Sequence, residues 1–266
     1  MDSIIRHWFA LCTRRTVMAI ILSAGVGLAP AEAAPRNGLL TAADAADFRE
    51  AFRWAERDNW PLANRHAQRA KEPLLRKVLQ WMELSRRGNS ASFTDIVAFI
   101  AANPDWPHLR RLERRAEEAI DENTPSKTAL GWFSSHRPAT SDGLIAYGEA
   151  LIASGEAEKG KALIRRAWID GTFNRRSSRL FLKQYGKLIS KEDHWARLDN
   201  LLWRGRHEEA QQMMRRVSPG RRAVALARMR LRRSSGGVDW AINQVPQALL
   251  SDPGLLYERL RWRVRK

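Results

Sequence analysis

The stretch from Leu144 to Trp168, LIAYGEALIASGEAEKGKALIRRAW, constrains this chain most, because its apolar residues repeat at helical spacing on both sides of Gly155. A residue without a Cβ is suited to the tight turn between two antiparallel helices. Gly148, Ala153, Gly160 and Ala167 are small where two such helices must approach, while Leu144, Tyr147, Leu151, Leu163 and Ile164 form the apolar stripe. The reading is a tetratricopeptide-like hairpin, a unit that cannot bury its hydrophobic face alone and needs stacked neighbours.

Neighbours of the same pattern are present. Asn200 to Met214 places Gly205 where the first hairpin has Gly155, and Ala210 where it has Gly160. Ala51 to Ala67 repeats the arrangement with Asp58 at the turn and Ala63 at the close-packing position. The spacing between the three is irregular, so the expected architecture is all-α: a superhelical array of unequal antiparallel helix pairs, tetratricopeptide-like but not a regular solenoid.

Further helices are expected at Ala45–Arg57, Pro61–Ala70, Pro73–Ser85, Thr94–Ala102 and Pro107–Ile120, and again from Thr128 to Ser134. Pro61, Pro73 and Pro107 are placed for a first helical turn, and Thr94 for a cap. Beyond the central hairpin the pattern continues at Arg176–Tyr185, Lys191–Trp203, Glu208–Arg216, Arg221–Arg232, Trp240–Val245 and Gly254–Arg265. No segment alternates Val, Ile and Thr as a strand would, and no connection is long enough to read as an interdomain linker. The last helix ends the sequence without the polar capping repeat that an array usually carries, so the chain reads as truncated at its C-terminal end.

Residues 1–33 read as a signal peptide. Arg14 and Arg15 flank an apolar run from Thr16 to Ala29, and Ala31-Glu32-Ala33 offers a small-x-small cleavage site. The run is shorter than the ~20 residues a bilayer span requires, so no stable membrane span is expected after cleavage. Thr13-Arg14-Arg15 leaves the twin-arginine route open beside the general one. Residues 34–266 are then the exported domain. The sole cysteine, Cys12, lies in the removed segment, which suits an oxidising compartment such as the periplasm.

The formal net charge is +17, and loss of residues 1–33 lowers it only by one, so the basic excess belongs to the domain. A positive potential of this size attracts polyanions. Export argues against nucleic acid and for an anionic cell-wall polymer. A plainer reading assigns the arginines to helix surfaces with no ligand.

A series of short stretches resembles the helical region of soluble lytic murein transglycosylases. Phe99-Ile100-Ala101-Ala102-Asn103-Pro104-Asp105-Trp106-Pro107, followed by Leu109, Leu112, Ala116 and Glu117, is similar to an early part of that region. Tyr185-Gly186, Asp193-His194, Leu201-Leu202-Trp203 and Pro253-Gly254-Leu255-Leu256-Tyr257-Glu258-Arg259, with Trp262 behind, are similar to later parts in the same order. The resemblance implies a periplasmic protein associated with peptidoglycan cleavage or turnover. It implies a helical superhelix as scaffold and a separate lysozyme-like domain downstream, in which the Glu of a Glu-Ser motif acts as general acid and base. No Glu-Ser pair occurs in this sequence. The chain is therefore expected to bind or position murein without cutting it, with no catalytic residue of its own. The alternative is an adaptor for periplasmic protein partners.

Other chemistry is sparse. His7, His66, His108, His136, His194 and His207 are scattered without a metal-ligand spacing, and no phosphate loop or nucleophile elbow occurs, so neither metal nor cofactor is expected. Of the eleven tryptophans, Trp54, Trp81, Trp132, Trp168 and Trp203 lie on apolar helical faces and read as core. Trp106, between two prolines, is the candidate for stacking on a sugar. On the Arg221–Arg232 helix, Val224, Ala227 and Leu231 mark the buried stripe, while Arg221, Arg228 and Arg232 share another face. That face is the candidate for anionic ligands such as stem-peptide carboxylates, against the plainer reading of a solvated surface.

Overall fold

The structure, a computed structural model, describes residues 40–265. The expected signal peptide and Cys12 lie outside the described residues. Among those residues the protein is all-helical, with fourteen α-helices, three short 3-10 turns and no strand. Where the sequence reads as one uninterrupted array, the chain packs as two compact units, the first ending at Ala119 and the second starting at Ile120.

In the first unit α1 (Ala42–Glu56), α2 (Trp60–Arg69) and α3 (Pro73–Leu84) pack on one another, and α4 (Phe93–Ala102) pairs with α5 (Leu109–Ala119). Phe48, Ala51, Ala63 and Leu79 are sealed in the core of the first three helices. The cap of α4 is Ser92, directly before the buried Phe93, and not Thr94. Its Oγ accepts from Asp95 N at 3.2 Å while the Asp95 carboxylate accepts from Ser92 N at 3.1 Å, a reciprocal capping box. Pro107 also falls outside the expected helix, because the chain turns at His108 with φ of 60° before α5 begins.

In the second unit the elements are α6 (Ser126–Ser135), α7 (Ser141–Ala153), α8 (Ala157–Asp170), α9 (Arg175–Tyr185), α10 (Lys191–Trp203), α11 (His207–Met213), α12 (Pro219–Arg233), α13 (Val238–Asn243) and α14 (Pro253–Arg265). Helix α8 packs on α10, α10 on α12, and α12 on α14. The core is centred on Trp168, Ile164, Leu198 and Ala225, and continues through Val224, Leu231 and Leu255.

The three hairpins share one turn. Asp58, Gly155 and Gly205 have φ of 62°, 95° and 70°. The following amides, Asn59, Glu156 and Arg206, reach back to Trp54 O, Leu151 O and Leu201 O at 2.8–2.9 Å. Each is a left-handed helix end that satisfies carbonyls the helix leaves open. The small residue one turn further on is buried each time: Ala63, Gly160 and Ala210. At Gly160 the approach is closest, since a Cβ there would meet Gly148 O and lie 2.6 Å from Ile152 Cγ1.

Arginines tie the stacked helices of the second unit together. Arg197 of α10 donates to Trp168 O and Gly171 O at the end of α8, and Arg204 donates to Asp170 O at 2.9 Å. Arg232 of α12 donates to Leu202 O and Trp203 O at the end of α10. Arg265 of α14 donates to Leu231 O and Arg232 O at the end of α12. The last carbonyls of a helix have no intrahelical donor and sit at the negative end of its dipole. A guanidinium from the next stacked helix answers both needs, and part of the basic excess therefore serves stacking.

Arg197 is the most buried of these, packed between Trp168 and Phe173, and burial pulls its guanidinium down to about 10. Beside it, His194 Nδ1 accepts the indole N–H of Trp168 at 3.2 Å. Burial, reinforced by Arg216 and Arg197 and opposed by Asp193, holds the imidazole below its ordinary value of 6.5. A depressed folded-state value means the unfolded chain binds the proton more readily, so stability is full above pH 6.5 and is lost as pH falls through the folded value. The melting temperature is expected to fall between pH 7.5 and pH 5, and to fall less in His194→Gln, which keeps an acceptor without a proton to gain.

Candidate anion-binding site

The arginine row expected on α12 faces inward. Val224, Ala227 and Leu231 are buried as their spacing requires. Arg228 is only 2 % exposed, ion-paired with Asp199 of α10 and 3.6 Å from Asp252, the residue that precedes α14. Its guanidinium lies over Trp203 at 5.1 Å. Gly254 makes the room, for a Cβ there would land on the guanidinium carbon. Arg232 is held between the end of α10 and Glu258 Oε1 at 3.2 Å. Arg221, partly exposed, stands 3.8 Å from Glu192 and 5.5 Å from the centre of Trp195. The structure thus gives each of the three an internal partner, and the row on α12 braces neighbouring helices.

Trp106 sits in the turn before α5, half-buried, with its ring edge-on to Phe99 at 5.6 Å and Lys77 Nζ 5.9 Å from its centre. The indole N–H is buried without a hydrogen-bond partner among the described residues. Trp203, expected in the core, is 43 % exposed and leans on Tyr257. Tyr257 of α14 and Arg228 of α12 cover only part of its ring, so an apolar face predicted from periodicity remains partly open.

A cluster the sequence reading passed over lies in the first unit. Arg110, Arg111, Arg114 and Arg115 of α5, with Arg87 from the turn after α3, line a pocket of about 340 Å³. Arg115 is 7 % exposed and pairs with Glu118, yet its Nε–H is buried without a hydrogen-bond partner among the described residues. Burial lowers the pKa of its guanidinium, Glu118 offsets this, and Arg87, Arg114 and Arg111 lower it further. The other four arginines are exposed, and among the described residues none forms an ion pair.

This arrangement runs against helix energetics. Arg110–Arg114 and Arg111–Arg115 are like-charge pairs one turn apart, each destabilising by about 0.2–0.5 kcal/mol. Arg110 and Arg111 also stand in the first turn of α5, which has no acidic residue there, at the end of the helix that repels cations. Local rules broken with only the Arg115–Glu118 ion pair to offset them among the described residues are expected at functional or strained positions. The signal was available as two arginine doublets one turn apart at a helix start; reading the segment only for its apolar period hid it.

The described residues contain no group of three His, Cys, Asp or Glu able to hold a metal, and no helix among them is long and apolar enough to cross a membrane. Compared with protein-family models, with curated proteins and with solved structures, the chain matches none of them.

Proposed function

We propose that the protein is a binding scaffold for an anionic cell-wall polymer, in the manner of the helical region of soluble lytic murein transglycosylases. It works in the periplasm after export and holds or positions peptidoglycan without cutting it. Its helix pairs, on this reading, stack as a tetratricopeptide-like superhelix. The observation that carries the proposal is that five arginines line one pocket, with Arg115–Glu118 the one ion pair seen at any of them among the described residues. Such a site attracts and orients carboxylates of the kind that stem peptides present. Trp106, just before α5, stands at the same end of that helix as Arg110 and Arg111 and supplies an aromatic surface for a sugar ring.

Co-sedimentation of the pure protein with isolated sacculi tests this. Retention is expected to weaken with salt. It should drop by roughly tenfold in Arg110→Gln/Arg114→Gln, two exposed charges at up to about 1 kcal/mol each. That variant removes the Arg110–Arg114 repulsion and leaves the core intact, so its melting temperature is expected to hold. Absence of wild-type retention would sink the murein reading.

The second reading, an adaptor for periplasmic proteins, is favoured by a different observation. Leu256, Tyr257, Leu260 and Val264 on α14 are 45–80 % exposed at helical spacing, an apolar stripe of the sort that protein contacts cover. No sacculus retention together with an intact fold points to it.

A further inference from the structure

The pocket on α5 demands more negative charge than one carboxylate supplies. Glu118 already brings one, and it leaves Arg87, Arg110, Arg111 and Arg114 without ion-pair partners among the described residues. A second single carboxylate would leave most of that charge unbalanced and would offer only two oxygens to five planar forks. Arg115, the least exposed of the five, lines the same pocket and adds a charge that Glu118 alone pairs among the described residues.

We propose that this pocket is a site for a phosphoryl dianion, the terminal phosphate of a phosphorylated ligand. The inference rests on the anion-binding reading of the pocket and narrows its ligand. A phosphate ester carries about −1.5 to −2 charges at neutral pH and presents three acceptor oxygens. Guanidinium groups bind such oxygens through paired N–H donors, a geometry that lysine cannot reproduce. The positions agree with that chemistry: Arg110 and Arg111 place their charges at the positive end of α5, where an anion is also favoured by the helix dipole. Arg115 lies deepest and is shielded from water, so the pair it forms with the ligand is screened less by salt than a surface contact.

Thermal melts and calorimetric titration of the full chain decide the matter, with inorganic phosphate and a hexose 6-phosphate as probes. Acetate and chloride at matched ionic strength are the controls. Both phosphates are expected to raise the melting temperature saturably and at lower concentration than acetate, and chloride to leave it unchanged. Arg110→Gln/Arg114→Gln should weaken phosphate binding roughly tenfold or more, through lost charge-assisted hydrogen bonds. Arg115→Lys should do the same by removing the fork while keeping the charge. If the lysine variant fails to fold, the exposed double variant still reads the site. Equal responses to phosphate and acetate, or unchanged phosphate affinity in the double variant, would overturn the proposal.

Co-sedimentation with vesicles containing phosphatidic acid identifies the source of the phosphoryl group. Binding displaced by free phosphate places it on a lipid, and a phosphate shift without vesicle binding places it on a soluble ester. Sacculus retention is scored apart from all of this. Retention lost with the phosphate shift intact overturns the murein reading alone, and retention without any phosphate shift overturns this one alone.

Discussion

Arg228→Ala is expected to lower the stability of the second unit by about 3 kcal/mol, the lower end of what breaking a buried ion pair costs. The lower end applies because Asp199 and Asp252 keep 36 % and 15 % of their side chains exposed and can rehydrate when the guanidinium is gone. Arg228 itself has no such escape, being 2 % exposed with its Nε–H already without a hydrogen-bond partner among the described residues. Asp252→Asn is therefore expected to cost stability as well, by leaving the buried cation with Asp199 alone and weakening the contact of Asp252 with Leu255 N at the start of α14. Gly254→Ala should reproduce much of the Arg228→Ala loss, since its methyl would occupy the guanidinium site. Urea unfolding measures all three. A midpoint unchanged in Arg228→Ala would contradict the role of Arg228 as a brace and return the α12 row to the list of ligand-binding candidates.

Gly160→Leu is expected to cost about 3 kcal/mol, the upper part of the range for overpacking. The obstacle at Gly160 is the backbone oxygen of Gly148, which cannot swing away as a side chain can, with Ile152 behind it. The helices α7 and α8 would have to part, exposing Ile164 and Leu151, now buried between them. Ala210→Leu meets the same situation in the α10–α11 hairpin, where Ala210 is fully buried, and should cost about 1–3 kcal/mol. Thermal melts check both, and unchanged midpoints in both would refute the shared register of the hairpins.

That register was legible in the sequence. Asp58, Gly155 and Gly205 at the turns and Ala63, Gly160 and Ala210 at the contacts are determined locally. A left-handed turn residue favours glycine, which has no Cβ to clash, or aspartate, whose short carboxylate can accept a local hydrogen bond, and two helices joined by a short turn must meet within the next turn of helix. Helix starts were less secure where two signals competed: Ser92 won over Thr94 because only Ser92 has an acid three residues on to close the capping box.

The fate of each arginine was decided only by the tertiary structure. Arg228 and Arg232 on α12 and Arg110 and Arg114 on α5 are alike in the sequence, each a cation on an amphipathic helix. Arg228 and Arg232 found Asp199, Glu258 and helix-end carbonyls from positions 26–30 residues away in the chain. Arg110 and Arg114 found no ion-pair partner among the described residues. Helical periodicity says which residues share a face, but the partner of that face is set by the packing of other helices. The charge that remains without a partner, and with it the candidate site, emerges only after the stacked helices have taken the arginines they need.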